Sequence, residues 1–85
     1  MAEEEIGAIQ HYFDRISVAV INVAQGELAV GDTIHIKGHT TDVSTKIESM
    51  QFEHTKIEKA KAGDSAGVKV PAKVRIQDKV FKVTP

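Results

Sequence analysis

Three absences narrow what this chain of 85 residues can be. It contains no cysteine, which excludes disulfide bonds, thiolate zinc sites and a cysteine nucleophile. Its longest uninterrupted apolar run is four residues, Val18 to Ile21, so the sequence predicts neither a membrane-spanning helix nor a secretion signal. The acidic segment Glu3 to Glu5 also lacks the positive charge of a targeting segment. We therefore expect a cytoplasmic protein.

Leucine is scarce as well, and this bears on the fold class. The chain has a single leucine, Leu28, against ten valines and nine isoleucines. Valine and isoleucine have stiff χ1 angles that suit a pleated strand, whereas leucine normally fills helical cores. A chain of this length folds around one core. The composition therefore predicts a single all-β domain.

The formal net charge of −1 conceals an uneven distribution. Residues 1–45 carry seven acidic and two basic residues, whereas residues 46–85 carry nine basic and five acidic ones. Any basic surface must therefore come mostly from the second half. Charged side chains on sheet surfaces and edges commonly serve solubility. The distribution of charge along the sequence does not distinguish a binding patch from a solvated surface.

Hydrophobic periodicity predicts where the strands lie. A strand with a bend is expected over residues 6–13, and Ile16, Val18 and Val20 then alternate with small residues before Ile21 and Val23 continue in the opposite phase. This phase slip predicts a β-bulge near Val20. One helical turn is predicted over 58–61, where Glu, Lys and Ala favour helix. Further strands are predicted at 28–30, 33–37, 46–52, 54–57, 66–70, 74–76 and 79–83, with 40–45 as a loop or outer strand.

Glycine and aspartate stand together at two predicted turns, Gly31-Asp32 and Gly63-Asp64. Glycine takes a positive φ without steric cost, and an aspartate carboxylate can accept hydrogen bonds from nearby backbone N–H groups. We interpret both pairs as structural corners between strands.

Short strands separated by frequent turns are typical of a sandwich or a barrel. At this length we expect a small closed barrel of six to eight strands, because closure pairs the edge strands that an open sheet exposes. The predicted domain covers residues 6–84, preceded by a flexible acidic N-terminus at residues 1–5.

Two segments carry a resemblance to a known family. Residues 26–36, GELAVGDTIHI, resemble the G-x-L-x-V-G-D segment of the β-barrel second domain of translation GTPases such as elongation factor Tu and bacterial initiation factor two. Residues 60–68, AKAGDSAGV, are similar to the A-x-A-G-(D/E)-x-V-G signature of that domain, with Ala66 in place of the usual valine. The resemblance covers almost the whole chain and implies a Greek-key-like closed barrel of the translation-protein domain-two type. The chain is also similar to the small barrel that ends collagenase-like peptidases.

This resemblance implies binding rather than catalysis. The translation GTPases hydrolyse GTP in a separate domain, and this chain has no G-x-x-x-x-G-K-(S/T) loop. We therefore expect no GTP, no other cofactor and no enzymatic activity. In elongation factor Tu the second domain helps to hold the aminoacylated 3′ end of tRNA, and in initiation factor two a similar barrel does so alone. An RNA end or a ribonucleoprotein is the implied ligand.

The resemblance also implies a site. Gly63, Asp64 and Ser65 match the loop of the family that touches the aminoacyl end of tRNA. Arg15 falls where the family often carries an arginine near the terminal nucleotide, and it is expected to contact a phosphate or a base. The alternative for Arg15 is an ion pair with Asp14 or with Glu27.

Two further residues complete the predicted site. Tyr12 is the aromatic residue expected at the surface, because Phe52 and Phe81 are assigned to the core; an exposed ring can stack on a base. Lys69 is the cation contributed by the basic second half. With so few aromatic rings and a net charge near zero, we expect any RNA affinity to be modest and dependent on salt.

Metal binding and catalysis receive little support from the sequence. His35 and His39 are four residues apart, but a strand followed by Gly38 does not bring such a pair together, so no metal site is predicted. Ser65, His54 and Asp64 contain the residue types of a catalytic triad, yet no nucleophile-elbow pattern accompanies them.

Two hypotheses about function therefore stand. The first is a non-enzymatic, translation-factor-like barrel that binds the tRNA acceptor end, other RNA or a ribonucleoprotein. The alternative is a protein-interaction or accessory barrel that works with a separately encoded enzyme such as a collagenase-like peptidase.

Overall fold

The regular secondary structure of the described residues consists of β-strands, as the composition predicts. The computed structural model describes residues 2–52 and 55–84, and these contain no helix long and apolar enough to span a membrane. The strands are β1 (Ala2–Phe13), β2 (Val18–Val23), β3 (Glu27–Ala29), β4 (Thr33–Lys37), β5 (Asp42–Lys46), β6 (Met50–Phe52), β7 (Thr55–Ile57), β8 (Lys59–Lys61), β9 (Ser65–Lys69) and β10 (Lys79–Thr84).

Eight of the strands form one antiparallel sheet in the order β5-β4-β10-β1-β2-β9-β6-β7. The remaining two, β3 and β8, pair with each other in a second sheet. Within residues 2–52 and 55–84, no ladder joins the edge strands β5 and β7. The all-β prediction is confirmed, whereas the predicted closure into a barrel is not.

Backbone hydrogen bonds fasten the small sheet to the large one. The N–H of Gly31 donates to the carbonyl of Ile47 at 2.8 Å, and the N–H of Ile47 donates to the carbonyl of Asp32 at 2.8 Å. The N–H of Val30 donates to the carbonyl of Glu58, the residue before β8, at 2.9 Å and so extends the β3–β8 pairing. The turn after β3 is thus held to the segment that follows β5.

β1 is the longest strand and connects the two halves of the large sheet. It pairs with β10 on one side and with β2 on the other, and each pairing contains an irregularity. Against β10 the register shifts between Glu5 and Gly7, and against β2 it shifts between Ile9 and His11. These bulges give β1 its predicted bend. β1 begins at Ala2, so residues 2–5, predicted as a flexible N-terminus, are paired with β10 here.

The bulge predicted near Val20 is present, but the extra residue lies on the partner strand. Ile9 pairs with Ile21 and His11 pairs with Val20, which leaves Gln10 of β1 without an opposite residue. The predicted change of phase inside β2 is therefore wrong. β2 keeps a strict alternation in which Ala19, Ile21 and Val23 are buried, while Val18 and Val20 face the other side.

The core is one cluster of buried side chains from both sheets and consists mainly of isoleucine and valine. Its fully buried members come from most of the strands and include the single leucine. The largest are Ile6, Ile9, Ile21, Leu28, Ile34, Ile36, Ile47, Met50, Val23, Val68, Val74 and Val80. Phe52, assigned to the core by sequence, is instead 40% exposed, and Phe81 is half-buried.

Two local predictions are wrong. The helical turn expected at 58–61 is strand β8, in which Ala60 is buried and pairs with Leu28. Tertiary pairing overrides the helix propensity of a segment too short to be a stable helix. Residues 74–76, predicted as a strand, are irregular and lead into a turn, although Val74 is buried.

The two glycine-aspartate corners adopt the predicted geometry. Gly31 has a φ of +100° and Gly63 a φ of +96°. The Oδ2 atom of Asp32 accepts the N–H of Ala29 at 2.9 Å, and the Oδ2 atom of Asp64 accepts the N–H of Lys61 at 3.0 Å. In each turn the carboxylate therefore bonds the residue three positions before it, which stabilises the entry into the next strand.

A third turn repeats this arrangement without a glycine. The Oδ2 atom of Asp78 accepts the N–H of Arg75 at 2.8 Å, and Gln77 takes the left-handed position with a φ of +75°. Asp78 is only 6% exposed, and its carboxylate occupies the space that a side chain at Gly38 would fill. The sequence gives no glycine signal here, so this corner was predicted only as a turn at Asp78.

Candidate functional site

The residues of the predicted RNA site lie at two ends of one strand pair. Along β2 and β9, Val18 pairs with Lys69 and Asn22 pairs with Ser65. Four residues of extended strand span about 13 Å. Lys69 therefore lies near the turn at residues 14–17, which carries Arg15, while Gly63, Asp64 and Ser65 lie at the opposite end.

The loop at Gly63-Asp64-Ser65 is occupied by its own hydrogen bonds. The Asp64 carboxylate accepts the N–H of Lys61, and the N–H of Gly63 donates to the carbonyl of Val23 at 2.8 Å. The hydroxyl of Ser65 donates to Oε1 of Gln10 at 2.9 Å. These contacts give the loop a structural role, and its binding role stays a prediction.

Arg15 and Tyr12 differ in their surroundings. Arg15 is exposed, and Glu27, one of its two predicted alternative partners, contacts Lys59 at 3.3 Å instead. Tyr12 is half-buried and packs against the core, whereas Phe13 beside it is 46% exposed. The exposed aromatic ring at the end of β1 is thus Phe13, and not Tyr12 as the sequence suggested.

An apolar groove of about 360 Å³ lies on the outer face of β2, β9 and β6. Its apolar lining comes from Val18 and Val20 of β2, from Phe13 and Ile16 at the β1–β2 turn, and from Phe52 of β6. Phe13, Ile16 and Phe52 are among the few large apolar side chains that the described residues expose. Because such residues are unusual when grouped on a surface, the groove is the strongest candidate site of the fold.

Gly67 forms the floor of this groove. It pairs with Val20 on one side and with Gln51 on the other. A Cβ atom at this position would lie 3.2 Å from Cγ1 of Val18 and 3.5 Å from the carbonyl oxygen of Gln51. The absence of a side chain therefore leaves the groove open between the two neighbouring strands.

Lysines stand at one end of the groove. A second depression of about 350 Å³ shares Val18, Gln51 and Gly67 with the first and is also lined by Lys56 and Lys69. Both lysines are exposed, and their neighbours in this depression are Ser49, Met50 and Gln51. The outer face therefore changes from apolar to cationic over the width of a few strands.

A cluster of titratable groups lies elsewhere, on β1, β4 and β5. Nδ1 of His35 lies 2.9 Å from Oε2 of Glu3, and Nε2 contacts Oδ1 of Asp42. The hydrogen bond to Asp42 raises the pKa of His35 above 6.5, with smaller contributions from Glu3, while burial of the ring opposes this shift. Because each ring nitrogen faces its own carboxylate, the cluster is a bridge between strands.

Two further arrangements were considered from the sequence: a metal site at His35 and His39, and a catalytic triad that includes His54. No group of three His, Cys, Asp or Glu side chains among residues 2–52 and 55–84 is placed to hold a metal ion. His54, a member of the considered triad, lies outside the described residues.

Comparison with known proteins identifies the family. The family model for elongation factor Tu domain 2 matches residues 17–77, which include both glycine-aspartate motifs. The chain belongs to the elongation factor Tu domain 2 family. The resemblance seen in the sequence is thereby confirmed.

The chain is also similar to part of larger proteins. It is 40% identical over 72 residues to a collagenase of Porphyromonas gingivalis, covering 84% of this chain and 20% of that protein. It is 41% identical over 78 residues to an uncharacterized protease of Methanocaldococcus jannaschii, covering 91% of this chain and 19% of that protein. The chain thus spans about a fifth of the length of these relatives.

A solved structure has the same fold. The C-terminal domain of a putative U32 peptidase of Geobacillus thermoleovorans superimposes with a TM-score of 0.86, covering 95% of this chain and 93% of that domain. The two sequences are 17% identical. The fold of this chain is therefore also the fold of that C-terminal domain.

The sequence analysis did not predict the groove, because it assigned Phe52 to the core and gave Val18 and Val20 no role outside the core. The sequence does contain an indication of the groove, namely the four-residue apolar run Val18 to Ile21. In a strand, such a run places apolar side chains on both faces. We interpreted it as a phase slip. A strand that is apolar on both faces equally indicates that something covers its outer side.

Proposed function

We propose that this domain is a non-enzymatic accessory module that works with the larger part of a collagenase-like protein. One observation carries the proposal: over most of its length the chain is about 40% identical to a segment that makes up only a fifth of proteins named as a collagenase and a protease. At this identity, a shared role for the shared segment is the simplest expectation.

The site supports the same proposal. Grouped, exposed apolar side chains are typical of surfaces that contact another polypeptide and of ligand-binding grooves. The described residues offer a candidate for such contact in the groove of β2, β9 and β6. The catalytic chemistry of a peptidase is then supplied by the larger part and not by this domain.

The experiment is a domain exchange. The Porphyromonas gingivalis collagenase is prepared intact, with its homologous segment deleted, and with that segment replaced by this chain. We expect the deletion to impair gelatin degradation or thermal stability and the replacement to restore it, while this chain alone cleaves nothing. A replacement that behaves like the deletion, or cleavage by this chain alone, would contradict the proposal.

Barrel closure belongs to the proposal as well. The bonds that join Gly31 and Asp32 to Ile47 support a wall that continues from β5 through the β3–β8 sheet. In a closed barrel the amide of Ile47 exchanges with solvent as slowly as the amides of central strands, which hydrogen exchange followed by NMR measures. Rapid exchange at Ile47 would indicate an open sheet.

Binding of a tRNA acceptor end at Arg15, Tyr12, Gly63-Asp64-Ser65 and Lys69 stays a prediction. Its test is a gel shift with tRNA at low and moderate salt, in which Arg15→Ala and Lys69→Ala weaken the complex. A detected affinity that neither substitution changes would show that the site is assigned wrongly. The cytoplasmic location is likewise a prediction, which cell fractionation tests.

A further inference from the structure

A continuous row of paired residues crosses the outer face of the sheet, on the side opposite the core. From the strand register, His11 pairs with Val20, Val20 with Gly67, Gly67 with Gln51, and Gln51 with Lys56. This row crosses five strands at nearly the same height. It begins at a histidine, passes an apolar centre and ends at a lysine.

The neighbouring row also runs from apolar side chains to a lysine. Phe13 pairs with Val18, and Val18 pairs with Lys69. The apolar side chains of both rows lie on β1 and β2, while the cations lie on β9 and β7. The two rows together make an apolar groove with a cationic side.

The glycine at the crossing of the rows gives the groove its depth. A Cβ at Gly67 would approach Val18 and Gln51 closely, so any larger residue fills the space between β2 and β6. Its backbone φ is not in the left-handed region, so the turn argument that applies to Gly31 and Gly63 does not apply to Gly67. The backbone conformation at position 67 does not require glycine, whereas an open groove does, because a side chain there would fill it.

We propose that this groove binds an extended polypeptide segment in which apolar side chains stand next to acidic ones, supplied by the larger part of a collagenase-like protein. The inference rests on the function proposed above and names the surface and the chemistry of the contact. Apolar side chains of the segment occupy the space between Phe13, Val20 and Phe52. Its carboxylates face Lys56 and Lys69, where opposite charges meet across the contact.

The size of the groove fits a tethered partner. A stable complex of two separate proteins buries about 800 Å² on each side, which is more than a groove for a few side chains provides. A segment of the same polypeptide needs far less contact, because the tether raises its effective concentration to about the millimolar range. In the relatives, the remaining four-fifths of the chain is such a tethered partner.

The test uses synthetic peptides and the ¹⁵N-labelled chain. Three peptides, blocked at both ends, are titrated while the NMR amide signals are followed: DFVID, its basic counterpart KFVIK, and DSTSD, which keeps the acids but lacks apolar side chains. We expect DFVID to shift the amides of Val18, Val20 and Gly67 and to bind about ten-fold more tightly than either of the other two.

Substitutions then locate the contact. Gly67→Val fills the groove and weakens DFVID binding about ten-fold, whereas Ser44→Val, a valine at an exposed position of β5, leaves it unchanged. Lys69→Glu removes the preference for DFVID over KFVIK, and its control Lys46→Glu on β5 keeps the preference. Should Gly67→Val not fold, Phe13→Ser at the exposed groove wall replaces it with the same expectation.

Several results would overturn the inference. It is wrong if DFVID shifts no groove amide at millimolar concentration, if DSTSD binds as well as DFVID, or if Gly67→Val and Phe13→Ser leave binding unchanged. It is also wrong if the trinucleotide CCA, rather than any peptide, shifts these amides, since the groove then binds nucleic acid. A failure here leaves the domain exchange as an independent test of the accessory role.

Discussion

The three aspartate corners allow a graded prediction of stability, because the same hydrogen bond occurs in three degrees of burial. In each corner an Oδ2 atom accepts the backbone N–H of the third residue before it, at 2.8 to 3.0 Å. Asp64 is exposed, the side chain of Asp32 is 25% exposed, and Asp78 is 6% exposed. Replacement of each aspartate by alanine removes the same bond and leaves the same N–H without its partner.

The magnitude follows from burial. Loss of Asp78 leaves the N–H of Arg75 unsatisfied in a part-buried place, so Asp78→Ala is expected to lower the free energy of unfolding by about 2 to 3 kcal/mol. Water can replace the carboxylate at the exposed corner, so Asp64→Ala costs about 0.5 to 1 kcal/mol. Asp32→Ala lies between them at about 1 to 2 kcal/mol, since it also removes a partly exposed ion pair with Lys82 at 3.4 Å.

Urea denaturation followed by circular dichroism measures the three values. The control is asparagine at each position, which keeps an acceptor oxygen and is expected to recover more than half of each loss. A domain of this size has about 5 to 10 kcal/mol of stability, so all variants stay measurable. Equal losses of unfolding free energy at the three corners, or the largest loss at Asp64, would refute the claim that burial determines how much each hydrogen bond contributes to stability.

Two further predictions concern single positions. Gln77→Gly removes the side chain from a residue in the left-handed region, at a φ of +75°. This relieves about 1 kcal/mol of backbone strain, while the added conformational freedom of the unfolded chain costs about 0.5 kcal/mol. The variant should therefore unfold at a slightly higher urea concentration, and a clear loss of stability would contradict this. The raised pKa of His35 in the folded state stabilises the protein fully below about pH 6.5, and this contribution disappears as pH rises through the folded-state pKa. The melting temperature of the wild type should therefore fall more steeply with rising pH than that of His35→Gln. Parallel pH profiles of the two proteins would show that the bridge from His35 to Asp42 and Glu3 does not stabilise the fold in this way.

The fold class could be predicted from the sequence because it depends on composition and on short motifs. The ratio of valine and isoleucine to leucine indicated strands, and Gly31-Asp32 and Gly63-Asp64 marked corners whose hydrogen bonds are local. The third corner was predicted only as a turn at Asp78, and its left-handed residue was not predicted because Gln77 carries no preference for a positive φ. Its conformation is held by tertiary contacts, including hydrogen bonds that residues 77 and 78 make with Ile9.

The candidate site could not be predicted in the same way, because it depends on register. Val18, Gly67 and Gln51 are far apart in the chain and become neighbours only through the pairing of β2, β9 and β6. A one-residue change in any of these pairings would send the apolar row to the other face. The bulge at Gln10 decides which residues of β1 accompany Val18 and Val20, and periodicity alone could not show on which strand that extra residue lies.

The pairing of Ala2 with Thr84 at the end of the β1–β10 ladder has a practical consequence. The two ends of the described fold leave from adjacent positions of neighbouring strands, about 5 Å apart. Such a fold can be grafted as a cassette into a surface loop of a host protein without stretching either junction. A host with this insert should keep its own melting transition and display the groove of β2, β9 and β6 at its surface.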